Sequence, residues 1–215
     1  MKTIPLSDVE RAVQVIAETA IANESYFSEL DGLCGDGDFG TSLATGFRVV
    51  LKEWPNLDRS TVGAFLGRVG VLITSNVGGC SGPIWGTAFI RASAVAREKK
   101  ELSLEDAALM LRRAIEGIMA RGGASLGDKT ILDALEPVAQ LLESEAANPD
   151  ADTAGLLARA AEAAQSMAEK SRPWTAKRGR QSFTGDRSSG TLDPGIVAVG
   201  TVLKALTEAF TPATR

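Results

Sequence analysis

The sequence predicts an all-α fold, a bundle of eight helices running up and down. Three observations carry it. Apolar residues recur at helical spacing in segment after segment. No segment sustains the alternation of a strand, and aromatic residues are only 5% of the chain. The breaks between periodic segments are mostly short, which favours antiparallel neighbours.

Each element has its own signals. Ser7 starts the first helix, with Glu10 at capping-box spacing. Val9, Val13, Ile16 and Ala20 continue one face towards Leu30, with a loosening near Asn23. The second helix begins near Gly40, shows Leu43, Phe47, Val50, Leu51 and Trp54, and ends at Pro55-Asn56. Ser60 or Thr61 opens the third, with Val62, Phe65, Leu66, Val69, Leu72 and Ile73 on its stripe and Asn76-Val77-Gly78-Gly79 as its stop. The fourth starts around Pro83 and reaches Lys99. Ser103 caps the fifth, which carries Leu104, Ala108, Leu111, Ile115 and Ile118 and ends at Gly122-Gly123. Asp128 opens the sixth, with Pro137 inside its pattern predicting a kink or local adjustment. Asn148-Pro149-Asp150 is a break, after which Asp152 caps an Ala-rich seventh helix to about Glu169. Thr175 to Leu192 is a polar, basic, Gly/Ser-rich loop. Asp193 caps the eighth helix, with Pro194 at its first position.

The 215 residues are 44% apolar, enough for a packed core in a single domain over 1–215, with no repeat or linker. A net charge of -4 argues against nucleic acid as a partner. Cys34 and Cys80 cannot make a disulfide framework. No apolar run is long enough for a membrane span, and none follows Lys2 as a leader would require, so a cytoplasmic location is expected. The chain has no histidine, which removes imidazole acid–base catalysis and imidazole metal sites.

The stretch Asp31 to Thr41 packs Asp31, Asp36 and Asp38 among four glycines. Three acids this close repel unless a cation neutralises them, and hard oxygen donors suit Mg²⁺ or Ca²⁺. In an up-and-down bundle, every odd-to-even joint falls at one end. Those joints are Asp31–Phe39, Val77–Gly82, Arg121–Gly127 and Ala176–Leu192. They hold most of the glycine clusters, the acids and the densest basic run. The even-to-odd joints are brief and polar. Chemistry is therefore expected at one end, where four helices begin and direct unpaired N–H groups at a common space. Gly78–Gly82 can wrap a phosphate, Ser81 and Thr41 can donate hydroxyls, and Lys177, Arg178 and Arg180 can supply cationic contacts. Nucleotide with Mg²⁺ is the economical reading.

Singly, these features are ordinary. Gly78–Gly82 is a tight interhelical turn, Lys177–Arg180 a solvated loop, and the cysteines and Trp54, Trp85 and Trp174 packing residues. Gly122 and Gly127 have P-loop spacing, but Asp128 precedes Lys129 and the segment follows a helix. Gly127-Asp128-Lys129-Thr130 reads instead as a glycine stop, an Asp cap and a new helix.

Taken in order, Asp31…Gly35-Asp36-Gly37-Asp38, Gly78-Gly79-Cys80-Ser81-Gly82-Pro83, Gly86-Thr87, Gly127-Asp128-Lys129-Thr130-Ile131-Leu132-Asp133-Ala134-Leu135 and Asp193-Pro194-Gly195 resemble the nucleotide-binding L subunits of dihydroxyacetone kinases. The resemblance implies an antiparallel eight-helix barrel with the nucleotide, ADP or ATP, in loops at one end. It implies that Asp31, Asp36 and Asp38 bind two Mg²⁺ ions. Gly40, Thr41 and Ser42 match the phosphate-side helix start, with Phe39 just before them as a further nucleotide-binding position, and Cys80 and Ser81 match the Gly-rich phosphate loop. Gly122 and Ile131 match positions lining the nucleotide. Arg180, with Asp193, Pro194 and Gly195, matches the closing loop and last helix start. The substrate would sit on a separate K subunit, held there by a histidine. It would be dihydroxyacetone or another short-chain sugar. The phosphate source would be exchangeable ATP, or a phosphotransferase-system protein that recharges a fixed ADP. A homodimer or hetero-oligomer is expected. Phe39 departs from the family, which commonly has His there. A regulatory nucleotide-binding subunit without transfer activity and a Ca²⁺- or anion-binding helical module stand as alternatives.

Overall fold

The computed structural model describes residues 3–148 and 155–211. Among these, nine α-helices carry the architecture: α1 Leu6–Ala22, α2 Glu24–Gly32, α3 Phe39–Lys52, α4 Val62–Asn76, α5 Ser81–Val95, α6 Leu104–Gly122, α7 Ile131–Ala146, α8 Leu156–Ser171 and α9 Pro194–Phe210. The helices pack in sequence order. α1 lies on α3, then α3 on α4, α4 on α5, α5 on α6, α6 on α7, α7 on α8 and α8 on α9. α9 returns to α1 and closes the ring. With α2 continuing the course of α1, this is the expected antiparallel eight-membered helical barrel.

The inward faces follow the apolar stripes. Phe27, Phe47, Phe65, Leu43 and Ile73 are fully buried in the largest core cluster. Ile196, Ala134 and Ala160 join α7, α8 and α9. Ile115, Ile118 and Leu132 join α6 and α7. Small residues bring helices close. A Cβ on Gly86 of α5 would collide with the Thr74 hydroxyl of α4, so only glycine allows that approach.

Several boundaries differ from expectation, each for a local reason. Ser7 is not the cap of α1. Pro5 stands at that position, and Ile4–Pro5 (β1) pairs antiparallel with Glu101–Leu102 (β2), fixing where the helix can begin. The loosening near Asn23 is a full break between α1 and α2, where the Asn23 amide donates back to the Thr19 carbonyl at 2.8 Å. α5 starts at Ser81, two residues before Pro83. Asp128 is not a helix cap. Thr130 is, in a capping box with Asp133. α7 is continuous through Pro137. Ser103 caps α6 with Asp106, and Asp193 caps α9 with Pro194 next, both as expected. The long basic loop contains 3₁₀ turns over Arg180–Ser188. Asp152 lies outside the described residues.

Candidate functional site

All four odd-to-even joints meet at one end, around a single pocket. Its wall is built from Asp31, Asp36 and Asp38, from Gly79, Cys80 and Ser81, from Gly122, Lys129, Thr130 and Ile131, and from Arg178 to Gln181 with Asp193 to Gly195. The starts of α3, α5, α7 and α9 all border it. The opposite joints come together elsewhere: Val62 N–H donates to the Lys99 carbonyl and Arg59 pairs with Glu10.

Asp31 sits in the last turn of α2 and is buried. Its carboxylate accepts from the Phe39 N–H, the first amide of α3, at 3.3 Å. Gly37, with φ of +75°, turns the chain so that Asp36 and Asp38 face back towards it. One carboxylate oxygen from each of the three acids lies within 4.8 Å of the other two. Partial enclosure, then the charge of Asp31, holds Asp38 above its ordinary pKa. The Arg180 guanidinium contacts Asp36 and lies 3.5 Å from Asp38. A cationic partner is thus drawn into the acid cluster. An all-oxygen, triply acidic donor set of this kind fits a hard divalent ion such as Mg²⁺.

Phe39 lines the pocket and also packs inward. Its ring meets Phe27 at 6.1 Å between centroids, against the main core, while its backbone N–H still serves Asp31. Gly40, Thr41 and Ser42 do not form the pocket wall. Gly40 packs on the α2 backbone, where a Cβ would strike the Glu24 carbonyl. The Thr41 N–H is taken by the Ser28 hydroxyl at 3.2 Å. Ser42 lies beside Gly78.

The helix starts differ in how their amides are used. Thr130 and Asp133 cap α7, and Asp193 caps α9 through the Ile196 N–H at 2.8 Å. α5 begins at Ser81 with no side-chain cap. Its first amides, next to Gly79 (φ +61°), are the ones left for an anion. The other side of the pocket is apolar: Ile84, Ile118, Ala124 and Ile131, with Trp85 below packing edge-on against Phe47. Ile84 and Ala124 are not singled out by the sequence, and Ile118 is read there only as part of a helix face. They sit within a turn or so of Ser81 and Gly122, and that adjacency was the available signal.

Burial pushes the Asp193 carboxyl up to about 7, against the opposing pull of the Ile196 amide and Lys129. Enclosure, then the charges of Asp38, Asp31 and Asp193, raises the Cys80 thiol. Cys80, expected as a packing residue, is exposed. Lys177 and Arg178 are engaged by Asp128, at 3.7 and 3.3 Å, which leaves Arg180 as the basic residue facing the acids.

Residues 33–208 match the family model described as the DAK2 domain. The chain is 34% identical over 181 residues to the ADP-binding subunit DhaL of the PEP-dependent dihydroxyacetone kinase of Escherichia coli (strain K12), covering 84% of this chain and 86% of that one. Two crystal structures of the dihydroxyacetone kinase of C. freundii superpose on it at 26% identity. The native form gives a TM-score of 0.71, and the complex with AMP-PNP and Mg²⁺ gives 0.65. Each alignment covers 92% of this chain and 33% of the C. freundii chain, so this chain spans about a third of that enzyme.

Proposed function

This chain belongs to the DAK2 domain family, and we propose that it is the nucleotide-binding, phosphoryl-donating subunit of a dihydroxyacetone kinase or a related short-chain sugar kinase. It acts as a kinase only together with a subunit that holds the sugar. The observation that carries this reading is the division of the pocket. Acids, Arg180 and the uncapped start of α5 lie on one side, and an apolar wall lies on the other. That is the polarity of a nucleotide, with phosphates at one end and a flat base at the other.

Asp31, Asp36 and Asp38 would hold two Mg²⁺ ions, which supply charge neutralisation at the phosphates. The amides of Gly79 to Ser81 bind phosphate oxygens, and the Ser81 hydroxyl adds a donor. Arg180 places a fixed positive charge beside them. Ile84, Ile118, Gly122 and Ile131 take the base. The segment from Ala176 to Leu192 covers the site and excludes water. Phosphoryl transfer asks mainly for positioning and charge balance, so no general base is required of a chain without histidine.

The E. coli relative is named as PEP-dependent and ADP-binding. By analogy, we propose that ADP is held here and that the γ-phosphoryl is restored either by a phosphotransferase-system protein or by exchange with ATP. The test is reconstitution with a purified sugar-holding subunit. Sugar phosphate should form with each donor route that is used, and Asp36→Asn should abolish it. No transfer with any dihydroxyacetone-binding partner, despite tight nucleotide binding, would favour a regulatory role instead.

A further inference from the structure

Lys129 is the most unexpected residue in the molecule. It is 1% exposed, and it adopts a left-handed backbone conformation (φ +61°) without being glycine. Its ammonium donates to three backbone carbonyls, those of Arg172 at 3.3 Å, Trp174 at 3.0 Å and Ser188 at 2.7 Å. Ser188 lies in the loop from Ala176 to Leu192, and Arg172 and Trp174 lie at its entry, where α8 ends. The neighbouring Asp128 holds the same segment from its other side. Its carbonyl accepts from the Lys177 N–H at 3.0 Å, and its carboxylate pairs with Lys177 and Arg178.

The segment is also closed on itself. Gly190 N–H donates to the Arg172 carbonyl at 2.8 Å, and Ala176 N–H donates to the Ser188 hydroxyl at 2.9 Å. It is a compact loop stapled at its base, with Arg180 at its forward edge. A buried ammonium is costly unless its donors are satisfied. Here they are satisfied by Ser188 of the loop and by Arg172 and Trp174 at its entry, so loop base and lysine are ordered together.

We propose that Asp128 and Lys129 form a clamp that positions Arg180 over the phosphate side of the pocket. The clamp thereby sets how tightly the nucleotide is retained. Lys129 is a positioning residue, acting through the loop rather than touching the phosphates. This rests on the nucleotide-binding reading above. It goes beyond it by assigning the Asp128-Lys129 pair a function in ligand retention rather than in starting a helix.

The experiment is a double-mutant cycle on the full chain, reading ADP affinity with Mg²⁺ by calorimetry and exchange of the Ala176, Lys177 and Gly190 amides by hydrogen–deuterium measurement. Lys129→Met should weaken ADP binding about tenfold or more, equivalent to ~1.4 kcal/mol or more, and speed exchange at those amides. In an Arg180→Ala background the same change should cost little further affinity. An equal loss in both backgrounds, or no loss in either, overturns the clamp. Asp128→Asn, which removes only the charge pairing, serves in the same cycle if Lys129→Met does not fold. If the unmodified chain fails to bind ADP with Mg²⁺, the nucleotide reading falls. The amides then still decide: faster exchange in the variant supports the clamp, and unchanged exchange overturns it.

Discussion

The two ends of the barrel are made from the same number of helix termini and behave in opposite ways. At the end away from the pocket, opposite charges meet and backbone groups are matched. Arg59 pairs with Glu10 at 3.0 Å and stacks over Trp54 and Phe65. Lys99 pairs with Asp106 at 3.0 Å, while Asp106 completes the capping box of Ser103. The Val62 and Gly63 amides are taken by carbonyls of the α5–α6 joint. At the pocket end like charges are gathered: three acids within 4.8 Å. The half-buried Asp193 carboxyl, pushed up to about 7, stands close by, and α5 begins without a cap. One end is arranged to hold the fold. The other gathers three acids against a single Arg180 and leaves the α5 amides uncapped, an arrangement that a cation and an anion would complete together.

That contrast breaks or sharpens in measurable ways. The largest expected effect is at the fold-holding end. Phe65→Ala removes a fully buried ring packed at 5.5 Å on Trp54 and should cost about 3–5 kcal/mol of stability. Chemical denaturation checks it, and ADP affinity of the folded fraction should stay unchanged. Next, Asp36→Asn should lower ADP–Mg²⁺ affinity about 100-fold, at least what loss of a contact supporting a metal site brings. In Mg²⁺-free buffer stability should change little, because relief of the repulsion with Asp31 and Asp38 is offset by the lost pairing with Arg180. Ser103→Ala should cost about 1 kcal/mol of stability with no change in binding.

The smallest effects are pH slopes of opposite sign. Asp38 is raised above its ordinary 3.8 in the fold, so its contribution is full below that value and is lost as pH rises through its folded pKa. Burial pulls Asp106 up, but the Ser103 amide and Lys99 together pull it down further, below 3.8. Its contribution is present above 3.8 and is lost as pH falls through its folded pKa. Denaturation midpoints of metal-free Asp38→Asn and Asp106→Asn across acidic pH should each flatten one of these slopes.

Much of this was legible in the residues. Helical period gave the order of packing, and the parity of the loops located the pocket before any contact was known. The caps at Ser103 and Asp193 are local, since a side chain three residues from an amide needs only its own helix. The misread positions depend on partners far along the chain. Ser7 loses its capping role to a strand pairing with residues near 101. Lys129 finds its carbonyls 43 to 59 residues away, which no local pattern encodes. Phe39 looked like a loss of polarity at the site. Packed on Phe27, it anchors the start of α3 while its amide continues to serve Asp31.

The central claim is that the acids and the uncapped α5 start form one site for a metal–nucleotide pair. Calorimetric titration of ADP into the full chain, with Mg²⁺ and then with a chelator, tests it most directly. Affinity should fall at least about tenfold, ~1.4 kcal/mol, when Mg²⁺ is removed, and Asp36→Asn should bind alike in both buffers. Equal ADP affinity of the unmodified chain with and without Mg²⁺ would contradict the account.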